Sequence, residues 1–269
     1  MSQLLVQNLT IDTLGERNLV NSISFELSKG DRLGLLGESG SGKSLTALAI
    51  TGLLPEDLKV GGSISYEGYE LLGASETKLC EVRGAGIGIV FQDSLTSLDP
   101  LMKLGNQLAR PLRKFQGLKG EQLEAEIIRA LTEVKISNPE RASRSYPHQV
   151  SGGERQRVAI ALALACQPNI LIADEITTSL DVIVQSEILT LLDSLIEERG
   201  MSLIFITHDV AVAAQITQEV LILRDGEILE TGKIQEVLSS PKSSYAKELL
   251  ESARSLDFLL GEFKEGELR

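Results

Sequence analysis

The stretch GESGSGKS, at Gly37–Ser44, follows the apolar run Leu33–Leu36 and opens a second apolar run that ends at Leu54. Glycines allow backbone angles that turn successive N–H groups toward one point, and a helix start adds the positive end of its dipole. A strand, a glycine-rich loop and a helix in this order are typical of a phosphate-binding loop. A Gly/Ser-rich junction without a ligand is the alternative, and the full pattern rarely arises by chance.

In this loop we expect Lys43 to reach the β- and γ-phosphates of a nucleotide and the Ser44 hydroxyl to coordinate Mg²⁺. The other phosphate contacts are assigned to the rest of the loop, which consists of Gly37, Glu38, Ser39, Gly40, Ser41 and Gly42.

Two acids follow a second apolar run, Ile170–Ala173, which has the composition of a buried strand. Ligands bind outside the carboxyl ends of parallel strands, so we expect Asp174 and Glu175 to face the same crevice as the glycine loop. Asp174 is predicted to hold Mg²⁺, and Glu175 to orient or polarise the attacking water. Acids often follow strands, and it is the phosphate loop that favours the catalytic interpretation.

The segment Ser151-Gly152-Gly153-Glu154 precedes another apolar run. Ser-x-x-Glu is the pattern of a capping box, and a capped helix start with glycine freedom is also an anion site. Both interpretations can hold together. Because the chain already has one phosphate loop, a second anion site suggests that it binds the γ-phosphate of a nucleotide held by a neighbouring subunit.

Two polar residues lie at or just beyond the ends of further predicted strands. Gln92 follows the strand Ile87–Phe91, and His208 follows the strand Ser202–Ile206. In isolation Gln92 is an ordinary strand end, and His208 is a helix-start residue. Together with the other motifs, each is predicted to contact the γ-phosphate, whereas His148 is interpreted as a surface or linker residue.

The order of apolar segments predicts the organisation of the chain. The opening segment has the pattern of strands, residues 93–146 contain helical periodicity, and helices alternate with apolar strands from Ser151 onward. That alternation indicates a parallel sheet with crossover helices. Asp225-Gly226 predicts a hairpin turn. The predicted helices include Ser44–Leu54, Glu76–Val82, Leu104–Phe115, a run at 121–131, Val158–Cys166, Val182–Arg199 and Val210–Ala214.

Composition restricts the function. The chain has 269 residues, 42% hydrophobic content and a formal charge of −12, which argues against nonspecific binding to nucleic acid or to an anionic lipid surface. Its apolar runs are shorter than the roughly 20 residues of a membrane span, and its N-terminus lacks the pattern of a secretory signal. We therefore expect a cytosolic protein. Cys80 and Cys166 form neither a metal-ligand nor a disulfide pattern.

Together these motifs resemble the nucleotide-binding subunit of an ABC transporter over nearly the whole chain. The resemblance implies ATP and Mg²⁺ as cofactors, with Ser44, Gln92 and Asp174 as metal ligands. It also implies the family's functional elements at these positions: P-loop Gly37–Ser44, Q-loop Gln92, signature motif Ser151–Glu154, Walker B strand Ile170–Asp174, catalytic Glu175, D-loop Ser179-Leu180-Asp181 with Asp181 among the nucleotide contacts, and switch histidine His208.

The fold implied by the resemblance is α/β. It consists of a P-loop NTPase core at 1–92 and 151–269. This core has a mixed or parallel sheet with flanking helices and includes an N-terminal antiparallel β-lobe. A helical subdomain is expected at 93–150.

Finer features resemble the oligopeptide, dipeptide and nickel importer group. They are the loop sequence GESGSGKS, Ser145–Gln149 (SYPHQ), Gln156-Arg157 and the segment PKSSYAKELL at Pro241–Leu250. The cysteine-containing extension of longer members is not seen, so no iron–sulfur site is implied. The expected partners are a second nucleotide-binding subunit, identical or homologous, two membrane permeases and, indirectly, an extracytoplasmic substrate-binding protein, with no nucleic acid. The expected location is the cytoplasmic face of the cell membrane.

Three positions depart from the family pattern. Residues 11–21 contain no aromatic side chain that could stack on adenine, which leaves Leu14 as a substitute contact. Ile176 stands where proline is usual, and Val150 replaces a common leucine.

Two other functions remain as alternatives. A soluble ABC-type ATPase acting on DNA or ribosomes would carry a coiled-coil insertion, tandem cassettes or basic surfaces. A regulatory module without hydrolysis would not require the intact set of Lys43, Asp174, Glu175 and His208.

Overall fold

The structure, a computed structural model, describes residues 2–15, 17–93, 97–178 and 180–251, which divide into two units. The first unit comprises the described residues of Met1–Leu72 and Phe205–Arg269, and the second those of Gly73–Ile204. The domain boundaries expected from the sequence stay a prediction.

The first unit contains an antiparallel sheet and a mixed sheet. Its elements are β1 (Ser2–Thr13), β2 (Asn18–Ser28), β3 (Arg32–Leu36), α1 (Lys43–Thr51), β4 (Leu58–Tyr66), β5 (Tyr69–Glu70), α8 (Val210–Ile216), β9 (Glu219–Arg224), β10 (Glu227–Lys233), α9 (Ile234–Ser239) and a helix from residue 244 to residue 251.

The antiparallel sheet has the strand order β2-β1-β4-β5. In β2 the side chains of Ile23, Phe25 and Leu27 are buried and alternate with exposed Ser24 and Glu26. Alternation of this kind is the pattern of a strand with one face in the core.

In the mixed sheet β3 pairs in parallel with β9, and β9 pairs antiparallel with β10. A hydrophobic cluster in this unit contains Leu36 at the end of β3, Val210 of α8, Ile222 of β9 and Tyr245 of the last helix. Strand β3 therefore ends against a packed core directly before the glycine loop begins.

The second unit contains helices and two parallel strands. Its elements are α2 (Glu76–Glu81), β6 (Ile87–Val90), α3 (Leu104–Gln116), α4 (Gly120–Glu133), α5 (Pro139–Arg144), α6 (Gly152–Leu164), β7 (Ile170–Asp174) and α7 (Val182–Arg199); β8 (Ser202–Thr207) continues across the boundary into the first unit. Strands β6 and β7 pair in parallel. Every residue of β7 is buried, as expected for an interior strand of a parallel sheet.

Two arginines connect helices of this unit through ion pairs and hydrogen bonds. Arg199 at the end of α7 pairs with Glu133 of α4 and donates to the carbonyl of Leu164 at 3.1 Å. Arg157 of α6 donates to Glu187 of α7 at 2.8 Å. Among the described residues, no helix is both long enough and apolar enough to cross a membrane.

The α/β class, the strand at Arg32–Leu36 and the helix at Val182–Arg199 are confirmed. Some predicted ends were wrong. Helix α1 ends at Thr51, because Gly52 takes a left-handed conformation and caps it. Helix α2 passes at Val82 into a π-helical turn that ends at Gly86, and α6 begins six residues before the apolar run at Val158.

Candidate functional site

The glycine loop encloses the ammonium group of Lys43. That side chain is only 4% exposed, and its Nζ donates to the carbonyl oxygens of Gly37 at 2.8 Å and Glu38 at 2.7 Å. Lys43 is the first residue of α1, and Ser44 follows in the same turn. A buried cation and the first N–H groups of a helix thus share one loop, which favours an anionic ligand.

Glycine is required at two positions of the loop. Gly42 has φ of 99°, a left-handed value that side chains disfavour, and it directly precedes α1. At Gly37 a Cβ atom would lie 2.2 Å from the carbonyl oxygen of Leu223. Any larger residue at Gly37 would therefore move the loop away from β9.

The hairpin turn between β9 and β10 supports the loop from another side. Asp225 and Gly226 have φ of 50° and 81°, as the predicted turn requires. The N–H of Gly226 donates to the carbonyl of Ser41 at 3.3 Å, and the Gly226 carbonyl accepts from the N–H of Asn21 at 2.7 Å. The turn thus connects the loop to β2.

His208 directly follows β8, and its side chain is exposed. The next residue, Asp209, caps α8 by accepting from the N–H groups of Ala211 and Val212. Asp209, and not His208, therefore caps the start of this helix. The γ-phosphate contact assigned to His208 stays a prediction.

In the second unit, Glu175 and Gln92 are brought together. The amide nitrogen of Gln92 donates to Oε2 of Glu175 at 3.0 Å, and the Thr178 hydroxyl lies 3.3 Å from the same oxygen. Glu175 has φ of 46°, a left-handed value that is uncommon for a residue with a side chain. Strain of this type is concentrated at functional sites. Asp174, the last residue of β7, is 6% exposed.

The segment Ser151–Glu154 forms the predicted capping box. The Ser151 hydroxyl accepts from the N–H of Glu154 at 3.2 Å, and the Glu154 carboxylate accepts from the N–H of Ser151 at 2.9 Å. Gly152 and Gly153 form the first turn of α6. The geometry satisfies the capping interpretation and leaves a helix N-terminus without bulky side chains at its first two positions.

Asp181 also has a structural task. Its carboxylate caps α7 by accepting from the N–H of Val184 at 3.0 Å. Ser179, the first residue of the predicted D-loop, lies outside the described residues.

Sequence reasoning missed three residues that touch these sites. Thr178 contacts Glu175, Gly226 supports Ser41, and the hydroxyl of Tyr245 accepts a hydrogen bond from the N–H of Glu38 at 2.9 Å. The only available signals were the hairpin dipeptide for Gly226 and, for Tyr245, its place in the segment PKSSYAKELL.

A glycine loop that encloses a lysine at a helix start is typical of a P-loop nucleotide hydrolase, and so is an aspartate followed by a glutamate at the end of a parallel strand. The profile of the family described as "ABC transporter" matches residues 20–178, more than half of the chain. The chain belongs to the ABC transporter family, and it is an ATPase whose hydrolysis is coupled to transport.

Curated relatives belong to the importer group that the sequence resembles. The chain is 43% identical to the oligopeptide transport ATP-binding protein OppD of Salmonella typhimurium, over 90% of this chain and 72% of OppD. It is 41% identical to the glutathione import ATP-binding protein GsiA of Escherichia coli, over 96% of this chain and 43% of GsiA. The chain thus spans less than half of GsiA. The predicted nucleotide-binding subunit, resembling this importer group, is confirmed.

Solved structures confirm the fold. A dimeric post-hydrolysis state of the ATP-binding cassette MJ0796, bound to ADP and Pi, matches with a TM-score of 0.76 and 30% identity over 86% of this chain and 98% of that one. The cbiO1 protein from Clostridium perfringens, part of the ABC transporter complex cbiONQ, matches with a TM-score of 0.78 and 25% identity over 98% of this chain and 99% of that one.

Proposed function

We propose that the protein is the ATP-hydrolysing subunit of an importer at the cytoplasmic face of the cell membrane, and that its cargo is a peptide, nickel or a metallophore. The observation that carries the nucleotide site is the enclosed ammonium of Lys43 at the start of α1. The names of OppD and GsiA support import of a peptide over nickel.

Mg²⁺ is the metal that suits the available donors. Ser44, Gln92 and Asp174 offer hydroxyl, amide and carboxylate oxygens, which Mg²⁺ prefers. Among the described residues, no group of three or more His, Cys, Asp or Glu could hold a metal on its own. Mg²⁺ commonly uses one or two carboxylates plus substrate phosphates, so a single aspartate is sufficient when ATP supplies the rest. Bound Mg²⁺ would neutralise charge that develops on the phosphates.

A second nucleotide-binding subunit is the proposed partner of the capping box. The first turn of α6 presents N–H groups beside two glycines, and such a turn favours an anion. In our proposal Ser151, Gly152 and Gly153 contact the γ-phosphate of the ATP bound by that partner, and His208 and Asp181 complete the contacts. The dimeric state of the similar cassette MJ0796 supports a paired arrangement.

A groove in the second unit is the proposed contact with a permease. Its volume is about 450 Å³, and its lining includes Phe91, Phe115 and Arg110. Phe91 directly precedes Gln92, and Gln92 donates a hydrogen bond to the carboxylate of Glu175. A permease segment that contacts Phe91 would therefore contact the neighbour of the residue that binds Glu175. The mixture of aromatic and cationic side chains fits an amphipathic loop with acidic residues. The thiol of Cys166 also lines the groove, and burial raises its pKa to about 11, so it stays protonated at neutral pH.

Leu101→Asp is expected to weaken assembly with the permeases about tenfold or more, because Leu101 is 88% exposed beside this groove. Its N–H is bonded to Asp99, which lines the groove. Co-purification with the two permeases measures the effect, and ATP binding by the isolated subunit should not change. Leu229→Asp, the same change at a 41% exposed position of β10, is the control. Equal recovery of the permeases with both variants would contradict this assignment.

The test of the whole proposal is uptake by the assembled complex. The subunit, the permeases that co-purify with it and their binding protein are reconstituted in vesicles, and uptake of labelled peptides, Ni²⁺ and a Ni²⁺ chelate is measured with and without ATP. We expect one of these cargoes to accumulate only with ATP. Accumulation that is independent of ATP, or no accumulation of any of them, would contradict the proposal.

A further inference from the structure

The hydroxyl of Tyr245 reaches the second residue of the phosphate-binding loop from 207 residues further along the chain. It accepts a hydrogen bond from the N–H of Glu38 at 2.9 Å. We propose that Tyr245 is a positioning residue for ATP binding and that it fixes the backbone of the loop through Glu38. This inference rests on the proposed nucleotide site at Lys43.

The bond is placed to act on Lys43. The N–H of Glu38 is bonded to Tyr245, and the carbonyl of Glu38 accepts from Nζ of Lys43 at 2.7 Å. Without the bond to Tyr245, the N–H side of Glu38 would be free to move, and Glu38 is the residue whose carbonyl holds Lys43. Fixing the backbone of one residue costs conformational entropy. A loop that is already fixed does not lose this entropy when the nucleotide binds, which raises the affinity.

The ring of Tyr245 is itself fixed. It is 1% exposed and lies in the cluster with Leu36 and Ile222. The guanidinium of Arg224 lies over the ring, 4.7 Å from its centroid, and also reaches Glu248 at 3.5 Å. Burial raises the pKa of the Tyr245 hydroxyl, so it stays neutral at physiological pH and accepts through its oxygen. A buried ring with one polar atom on the loop leaves the hydroxyl little freedom to move.

Glu230 of β10 fastens the start of the helix that carries Tyr245. It is 7% exposed, and its carboxylate accepts from the N–H groups of Lys242 at 2.9 Å and Ser243 at 2.8 Å. Burial acts to raise the pKa of Glu230, but the bonds from Ser243 and Lys242 outweigh burial and hold the pKa below its ordinary value. The charged carboxylate therefore anchors the segment to the mixed sheet, from which the loop also emerges.

Tyr245→Phe removes the hydroxyl and keeps the ring. We expect the Kd for ATP, measured with a fluorescent ATP analogue on the purified full chain, to rise about 3- to 10-fold, in line with the loss of one hydrogen bond to a partly buried group. In the assembled complex the KM for ATP should rise by a similar factor, and kcat at saturating ATP should stay within about twofold. Tyr69→Phe, the same change at a 61% exposed tyrosine of the same unit, should alter neither constant.

Glu230 supplies an independent variant. Glu230→Ala should raise the KM for ATP as Tyr245→Phe does, because the anchor of the helix is lost. Glu230→Gln keeps one acceptor oxygen and should recover part of the affinity. A general loss of packing would lower the melting temperature of both variants without this order in KM.

The outcomes separate this inference from the nucleotide site itself. If Tyr245→Phe binds ATP like the wild type while Lys43→Ala does not bind, the positioning role is overturned and the nucleotide site stands. If Lys43→Ala binds like the wild type, the nucleotide site falls and the positioning role falls with it. A lower melting temperature with unchanged Kd for ATP in Tyr245→Phe also overturns the positioning role.

Discussion

Glu175→Gln is expected to lower the ATPase rate of the assembled complex by about 10²–10⁴-fold, the usual contribution of a general base. The amide cannot polarise water as a carboxylate does, but it has nearly the same shape and keeps an oxygen that can accept from Gln92. Glu175 already has a left-handed backbone, and glutamine has a side chain of the same length, so the substitution requires no change of backbone conformation. The Kd for ATP should therefore stay within about threefold of the wild-type value.

A slow hydrolytic step also predicts an accumulating intermediate. With ATP and Mg²⁺, Glu175→Gln should collect as an ATP-bound dimer, which size-exclusion chromatography with light scattering can measure. Glu198→Gln changes the same group at an exposed position of α7 and should leave turnover unchanged. Hydrolysis by Glu175→Gln at the wild-type rate would remove Glu175 from the catalytic role.

Local pattern was sufficient wherever one short segment determines the structure. The apolar run before Gly37 gave β3, the dipeptide Asp225-Gly226 gave a turn with two left-handed residues, and the capping box gave the start of α6. Lys43, the first residue of α1, was likewise assigned from a local pattern, that of the glycine loop before it.

Contacts between residues that are far apart in the sequence could not be predicted from local patterns. The bonds from Gln92 to Glu175 and from Glu38 to Tyr245 join residues 83 and 207 positions apart, and no periodicity encodes them. After α2 the chain forms a π-helical turn at Val82–Gly86, and a Cβ at Gly84 of this turn would lie 2.0 Å from the ring of Phe115 in α3. A helix pattern at Glu76–Val82 does not report this contact between distant segments.

Lys43→Ala is expected to weaken ATP binding about 100-fold or more, equivalent to roughly 2.7 kcal/mol. Charge-assisted bonds from an ammonium to phosphate contribute about 1.5–3 kcal/mol each, and Lys43 is predicted to reach two phosphates. The same ammonium also donates to the carbonyl oxygens of Gly37 and Glu38, so its removal also loosens the loop. Titration with a fluorescent ATP analogue measures the loss.

Lys59→Ala, at an exposed position of β4, is the matched control and should bind ATP like the wild type. Because alanine is small and Lys43 is only 4% exposed, circular dichroism and the melting temperature must show that Lys43→Ala is folded. A folded variant with wild-type affinity would contradict the nucleotide site proposed at Lys43. A folded variant without measurable binding would locate the decisive charge in one ammonium group, which explains how a chain with a net charge of −12 can bind a polyanion.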